Sequence, residues 1–203
     1  MINFPRLLPL VGRWSSIGEP LRVVAGIAKG KRIGTLKKLG ARPTTQRVRS
    51  GLFAILSTYG LEGKSVIDLY AGTGTLGIEA LSRGATWADF VESSPKRSML
   101  LRQTLASLGF SAISKVHCMK VERAVKSLGK NYDLILMDPP YTLGPVNTIL
   151  NNIGHLAKEG ALVAIGHSQR DSLEHSYEDI KLVRERRYGD TTCSIYMKGD
   201  TPW

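Results

Sequence analysis

Along most of the chain, short apolar runs alternate with stretches in which apolar residues recur every three or four positions. Ser65 to Tyr70, Trp87 to Glu92, Lys115 to Met119, Tyr132 to Asp138 and Ala161 to His167 are the short runs, and their length reads as buried strands. Thr75 to Arg83, Pro95 to Leu108, Glu122 to Leu128 and Asn147 to Ala157 carry helical spacing, with Pro95 placed where a first helical turn accepts proline. Strands alternating with helices predict an α/β fold, a Rossmann-like, doubly wound and mostly parallel sheet covered on both faces. Leu182 to Tyr188 and Cys193 to Lys198, around Gly189-Asp190, predict a C-terminal antiparallel hairpin. Ligands of such sheets bind outside the carboxyl ends of the strands, at the switch point.

Upstream the pattern is different. Pro5, Pro9, Gly12, Gly18 and Pro20 make residues 1 to 20 read as a loosely ordered leader. Leu21 to Ile27 and Lys31 to Leu36 flank Lys29-Gly30 and predict a small basic β-hairpin. Val48, Leu52, Ile55 and Leu56 sit at helical spacing within residues 46 to 59, so a helix leads into the main domain. The chain thus divides into 1–20, 21–45 and 46–203.

Composition adds a polyanion to this picture. A chain of 203 residues, 42% hydrophobic and 22% charged, suits one soluble main domain. The formal net charge is +11, yet residues 1 to 50 hold eleven Lys and Arg against Glu19 alone, so they carry +10 and the remainder +1. Charge gathered in one segment makes a local field suited to nucleic acid; an acidic protein partner or a plain solvated face is the alternative. Lys29, Lys31, Arg32, Arg42, Thr44, Arg47 and Arg49 are the candidate RNA contacts. Cys118 and Cys193 are far apart and the four histidines lack ligand spacing, so neither a disulfide framework nor a metal site is expected. Pro5, Arg6, Pro9 and Arg13 interrupt any secretory apolar region, and no apolar run is long enough to span a bilayer. A cytoplasmic monomer with no membrane partner is the expectation.

The first strand runs into Asp68-Leu69-Tyr70-Ala71-Gly72-Thr73-Gly74-Thr75-Leu76-Gly77 and then a helix. The glycines by themselves fit a dinucleotide fingerprint as well as they fit a methionine carboxylate at a helix N-terminus. Glu92 closes the second strand 20 residues after Gly72, where an acid receives ribose hydroxyls. Asp68 favours S-adenosylmethionine, because a carboxylate there repels a pyrophosphate and accepts from an ammonium; the plain structural reading is that it caps the loop.

The fourth strand delivers Asp138-Pro139-Pro140-Tyr141. The prolines fix φ and hold each preceding residue extended, so Asp138 and the Pro139 carbonyl are rigid acceptors. Two such acceptors turn the lone pair of an exocyclic amino group toward a methyl donor, and Tyr141 offers a flat face to an extruded base. Pro-Pro-Tyr elsewhere is an ordinary proline-rich turn.

In order, Leu21 to Gly26 with Lys29 to Arg32, Arg42 to Arg49, Asp68 to Gly77 with Glu79 to Ala85, and Asp138 to Tyr141 resemble the RsmD family of bacterial rRNA methyltransferases across roughly residues 21 to 198. That resemblance implies a class I S-adenosylmethionine-dependent methyltransferase acting on N2 of a guanine in small-subunit (16S) rRNA, presented in a partly assembled particle. It implies Asp68, Ala71, Gly72 and Gly74 at the methionine end of the cofactor, Glu92 on its ribose, and Asp138, Pro139 and Tyr141 around the target amino group. Ser93-Ser94, Met119-Lys120 and Gln46 depart from the family pattern. A DNA adenine-N6 methyltransferase, a nicotinamide-dependent oxidoreductase and a non-catalytic RNA-binding assembly factor are the competing readings.

Overall fold

The structure is a computed structural model that describes residues 21–34, 45–129, 131–140 and 146–199. The predicted leader lies outside the described residues.

Helix α1 (Gln46–Leu56) precedes strand β1 (Ser65–Leu69), helix α2 (Thr75–Ser82), β2 (Trp87–Glu92), α3 (Pro95–Leu108), β3 (Ser114–Cys118), α4 (Val121–Ser127) and β4 (Tyr132–Met137). Then come α5 (Val146–Leu150), β5 (Ala157–Ser168), β6 (Ser176–Tyr177), β7 (Ile180–Tyr188) and β8 (Thr191–Lys198). The strands form one sheet in the order β3-β2-β1-β4-β5-β8-β7-β6. β3 through β5 are parallel, whereas β8 and β7 run antiparallel to their neighbours. Chain order reverses between β1 and β4, so the switch point lies at their carboxyl ends.

The period of two along each strand builds two cores. Val66, Phe90, Leu134, Leu136, Ala164 and Cys193 face one way, toward Leu52 and Phe53 of α1, Leu76 of α2 and Leu101 of α3. Ile67, Leu69, Val91, Ile135 and Met137 face the other way, toward Val121 and Val125 of α4 and Ile149 of α5.

One predicted helix is shorter, one short strand was not predicted, and the predicted hairpin lies against α2. The helix expected over Asn147 to Ala157 is confined to α5, followed by a 3-10 turn at Gly154–Leu156. Asn152 donates its side-chain amide to the Thr148 carbonyl, and a Cβ on Gly154 would sit 2.0 Å from Asp179 Oδ1, so the chain turns there and Ala157 already pairs with Tyr132. β6 was not expected, since two residues give no pattern to read. The basic hairpin is present, with an antiparallel bridge between Arg22 and Arg32 and with Val23 N–H and Ile33 N–H donating across it to the Lys31 and Leu21 carbonyls. Other backbone donors of the segment turn to α2: Val24 and Ala25 N–H donate to the Glu79 carboxylate, Ala28 N–H to Ser82 Oγ, and Ile27 N–H to the Ser82 carbonyl. The hairpin is therefore docked on α2. Gly26 makes this contact possible, because it has φ +79° and a Cβ there would lie 1.7 Å from the Ser82 carbonyl oxygen.

No helix among the described residues is long and apolar enough to cross a membrane.

Candidate active site at the switch point

β1 pairs Leu69 with Val91 of β2 and with Met137 of β4. The next row, at the carboxyl edge, therefore brings Tyr70, Glu92 and Asp138 side by side. Asp68, Glu92 and Asp138 continue the alternating positions that face α1, α2 and α3, so three acids meet on one side of the edge.

Asp68 is 1% exposed and accepts a hydrogen bond from the Gly77 N–H at 2.9 Å. Burial pushes its carboxyl up to about 8; the Gly77 bond opposes this, and the charges of Asp138 and Glu92 add to it. The loop-capping role open to Asp68 in the sequence is thus realised, alongside an electrostatic role at the edge. Glu92 accepts from Gly72 N–H at 3.0 Å and from Ser94 N–H at 2.6 Å, with Arg97 Nε at 3.2 Å. Ser94, one of the departures from the family pattern, N-caps α3 by accepting from Arg97 N–H.

The loop conformation explains its glycines one by one. Tyr70 has φ 64°, an uncommon value for a non-glycine residue, and turns the chain sharply off β1. Gly72 has φ 56°, and a Cβ there would meet nothing nearer than the Tyr70 carbonyl oxygen at 3.9 Å, which leaves its outer side open to a ligand. At Gly74 a Cβ would fall 2.3 Å from Leu101 of α3, and at Gly77 2.3 Å from Phe90 of β2, so these two allow close packing. The N-cap residue of α2, Gly74, has no side chain to offer, and of the first turn's N–H groups Asp68 takes that of Gly77. The others face the same edge and suit an anionic group. Donors at a helix start, an open glycine face and three acids fit the carboxylate, ammonium and sulfonium of S-adenosylmethionine.

Asp138 is half-buried and Pro139 buried. The register carries Met137 to Ile165, which places Asp138 beside Gly166 of β5. A Cβ on Gly166 would lie 3.1 Å from Asp138 Oδ1, so the glycine makes room for the carboxylate. The sequence carried a signal for this, a glycine within an apolar strand run. Cys193 of β8 pairs with Gly166, and burial first, then the Asp138 charge, pushes its thiol up to about 12. Tyr141, Arg42 and Thr44 lie outside the described residues.

Of the expected RNA contacts, Lys29, Lys31, Arg32 and Arg47 are exposed. Arg49 is a correction. It is 1% exposed, donates from Nη2 to the Arg22 carbonyl at 2.6 Å and sits 3.7 Å from buried Glu79. Glu79 also receives Arg83 Nε at 2.8 Å. Arg49 therefore anchors the N-terminal segment to α1 and α2 and is closed to RNA. Glu79, for which no role was expected, is the hub of that anchor.

A protein family described as Conserved hypothetical protein 95 matches residues 21–197. The chain belongs to this family. Relatives within it identify it with the RsmD family. Ribosomal RNA small subunit methyltransferase D of Escherichia coli (strain K12) is 29% identical over 183 residues, covering 88% of this chain and 90% of its own. YlbH of Bacillus subtilis (strain 168), named as a candidate rRNA methyltransferase, is 32% identical over 184 residues, covering 88% of this chain and 99% of its own. Among solved structures, the candidate methyltransferase YhhF of Escherichia coli superposes with a TM-score of 0.80 at 26% identity, over 90% of this chain and 100% of that one. The RsmD-family chain thus has the class I methyltransferase fold.

Proposed function

We propose that this RsmD-family protein is an S-adenosylmethionine-dependent rRNA methyltransferase that modifies the exocyclic N2 of a guanine in small-subunit rRNA. The observation that carries the reading is the cluster of acids on one face at the switch point, with Asp138 beside Gly166 and with Asp68 and Glu92 on β1 and β2. The names of its relatives support rRNA as the substrate class.

S-adenosylmethionine supplies an electrophilic methyl group on a sulfonium. Asp68 and the loop from Ala71 to Gly74 receive its amino-acid end, and Glu92 its ribose. The Asp138 carboxylate accepts one N–H of the target amino group and the Pro139 carbonyl the other, which directs the nitrogen lone pair at the donor. Because Pro139 and Pro140 restrain the backbone, this orientation is set before substrate arrives. Tyr141 follows directly and is assigned the face of the extruded base. Catalysis here is chiefly positioning.

The test uses labelled cofactor and small-subunit particles from a strain lacking the protein, with the modified base mapped by mass spectrometry. Label on guanine N2, lost by about 10² to 10⁴-fold in Asp138→Ala while cofactor affinity stays, is expected. Full transfer by Asp138→Ala, or label on another group, contradicts the assignment.

A further inference from the structure

Beyond Leu182, whose N–H donates to the His175 carbonyl at 2.8 Å, no strand among the described residues pairs with the outer edge of β7. Val183 to Arg187 are all exposed, on both faces of the sheet. Residues 180 to 190 hold Lys181, Arg184, Arg186 and Arg187 against Glu185 and Asp190. The two acids are turned to neighbours, Glu185 accepting from Ser194 Oγ at 2.9 Å and Asp190 from Gln169 Nε2 at 3.3 Å. Among the described residues, Arg184 and Arg186 form no ion pair. Arg187 Nε donates to the Gly189 carbonyl at 3.0 Å, which lays that side chain along the hairpin turn. A naked edge is commonly guarded by charge, but this charge is of one sign and has a definite location.

The register fixes that location. Asp138 lies beside Gly166, Gly166 pairs with Cys193, and Cys193 pairs with Arg186. Arg186 is thus in the same row as Asp138, three strand spacings or about 14 Å away. Cross-strand partners share a face, so Arg186 and Arg184 project on the side of the sheet that carries the three acids. Tyr188, on that same face, packs against the first core, and a Cβ on Gly51 of α1 would fall 2.3 Å from its ring. Exposed Arg47 lies one helical turn before Gly51 on α1.

Taking the RNA substrate of the proposed function as its premise, we propose that the exposed edge of β7, through Arg184 and Arg186 on the face of the acids and Arg187 on the opposite face, holds phosphates of the substrate RNA a few nucleotides from the base presented to Asp138. Among the described residues, Lys29, Lys31 and Arg32 of the N-terminal charge lie on the segment docked to α2. The β7 edge is a second basic surface, and it opens at the catalytic side of the sheet.

The test compares the parent with the triple variant Arg184→Gln, Arg186→Gln, Arg187→Gln and the matching Lys triple. Binding to a small-subunit rRNA transcript is followed by fluorescence anisotropy over a salt series. Loss of three contacts should weaken binding about 10 to 100-fold and make the plot of log K against log salt shallower by about 2. The Lys triple should keep the parent slope, and all three proteins should bind cofactor equally and melt together. A Gln triple with the parent's slope overturns the proposal. So does a Gln triple that binds bare transcript normally yet fails to methylate the particle, since the edge then meets a ribosomal protein. A parent that neither binds nor methylates rRNA overturns the functional reading and this proposal with it.

Discussion

Asp68 holds its proton in an unusual range. With its carboxyl pushed up to about 8 from the ordinary 3.8, the ligand-free fold retains a proton that the unfolded chain has already released. The stabilising contribution is therefore fully present below about pH 4 and is lost as pH rises toward about 8. Unfolding free energy measured by urea denaturation should decline across that window, and Asp68→Asn should flatten the decline. An ammonium brought to Asp68 favours the carboxylate, so cofactor binding near pH 7 should release roughly one proton. Calorimetry in two buffers of different ionisation enthalpy measures this, and a parent with buffer-independent heat would remove Asp68 from the cofactor's contacts. Gly166 permits a sharper test of position. Gly166→Ala places a Cβ where Asp138 Oδ1 now lies 3.1 Å away. Transfer should fall about 10² -fold with cofactor affinity unchanged, because small displacements of a positioned group are costly. A Gly166→Ala enzyme with the parent's kcat would mean that the Asp138 carboxylate does not need its present place.

At the scale of elements, the N-terminal segment is held to α2 by one buried carboxylate. Glu79 takes two backbone N–H groups and Arg83, and it lies 3.7 Å from Arg49, which has no other acid in reach among its named partners. Burial draws the Arg49 guanidinium below its ordinary value, with Glu79 opposing. Glu79→Ala leaves that cation buried without a counter-charge and should cost about 3–5 kcal/mol in chemical denaturation. A loss under about 1 kcal/mol would show that the segment is docked mainly by Ser82. The sequence made the strands and most helices legible, because periods of two and of three to four residues decide which face is apolar. It could not separate Arg47 from Arg49, two basic residues two positions apart, since which of them faces α2 depends on how α1 is rotated against an element distant in sequence. Where the hairpin docks was illegible for a related reason. Alternation in Leu21 to Ile27 was real, but the donors of Val24, Ala25, Ile27 and Ala28 found partners on a helix 55 residues away.

For the whole molecule, the order β3-β2-β1-β4-β5 follows from right-handed crossovers on either side of β1, and it creates one crevice between β1 and β4. The sequence placed Asp68, Glu92 and Asp138 at strand ends, and the register sets Glu92 and Asp138 in one row with Asp68 two residues back on the same face. What it could not supply was the contribution of the returning strands. Gly166 shares the row of Asp138 through the parallel pairing of β4 and β5, and Cys193 and Arg186 join that row because the predicted C-terminal hairpin docks antiparallel beside β5, a docking that no local pattern specifies. The central claim is that a sulfonium donor lies across this crevice with its reactive end toward Asp138. A crystal structure of the protein soaked with S-adenosylhomocysteine tests it most directly. Ligand density along the carboxyl ends of β1 and β2, with the ribose hydroxyls on Glu92 and the sulfur on the Asp138 side, is the predicted result. Density at another site with this edge closed by side chains would contradict it.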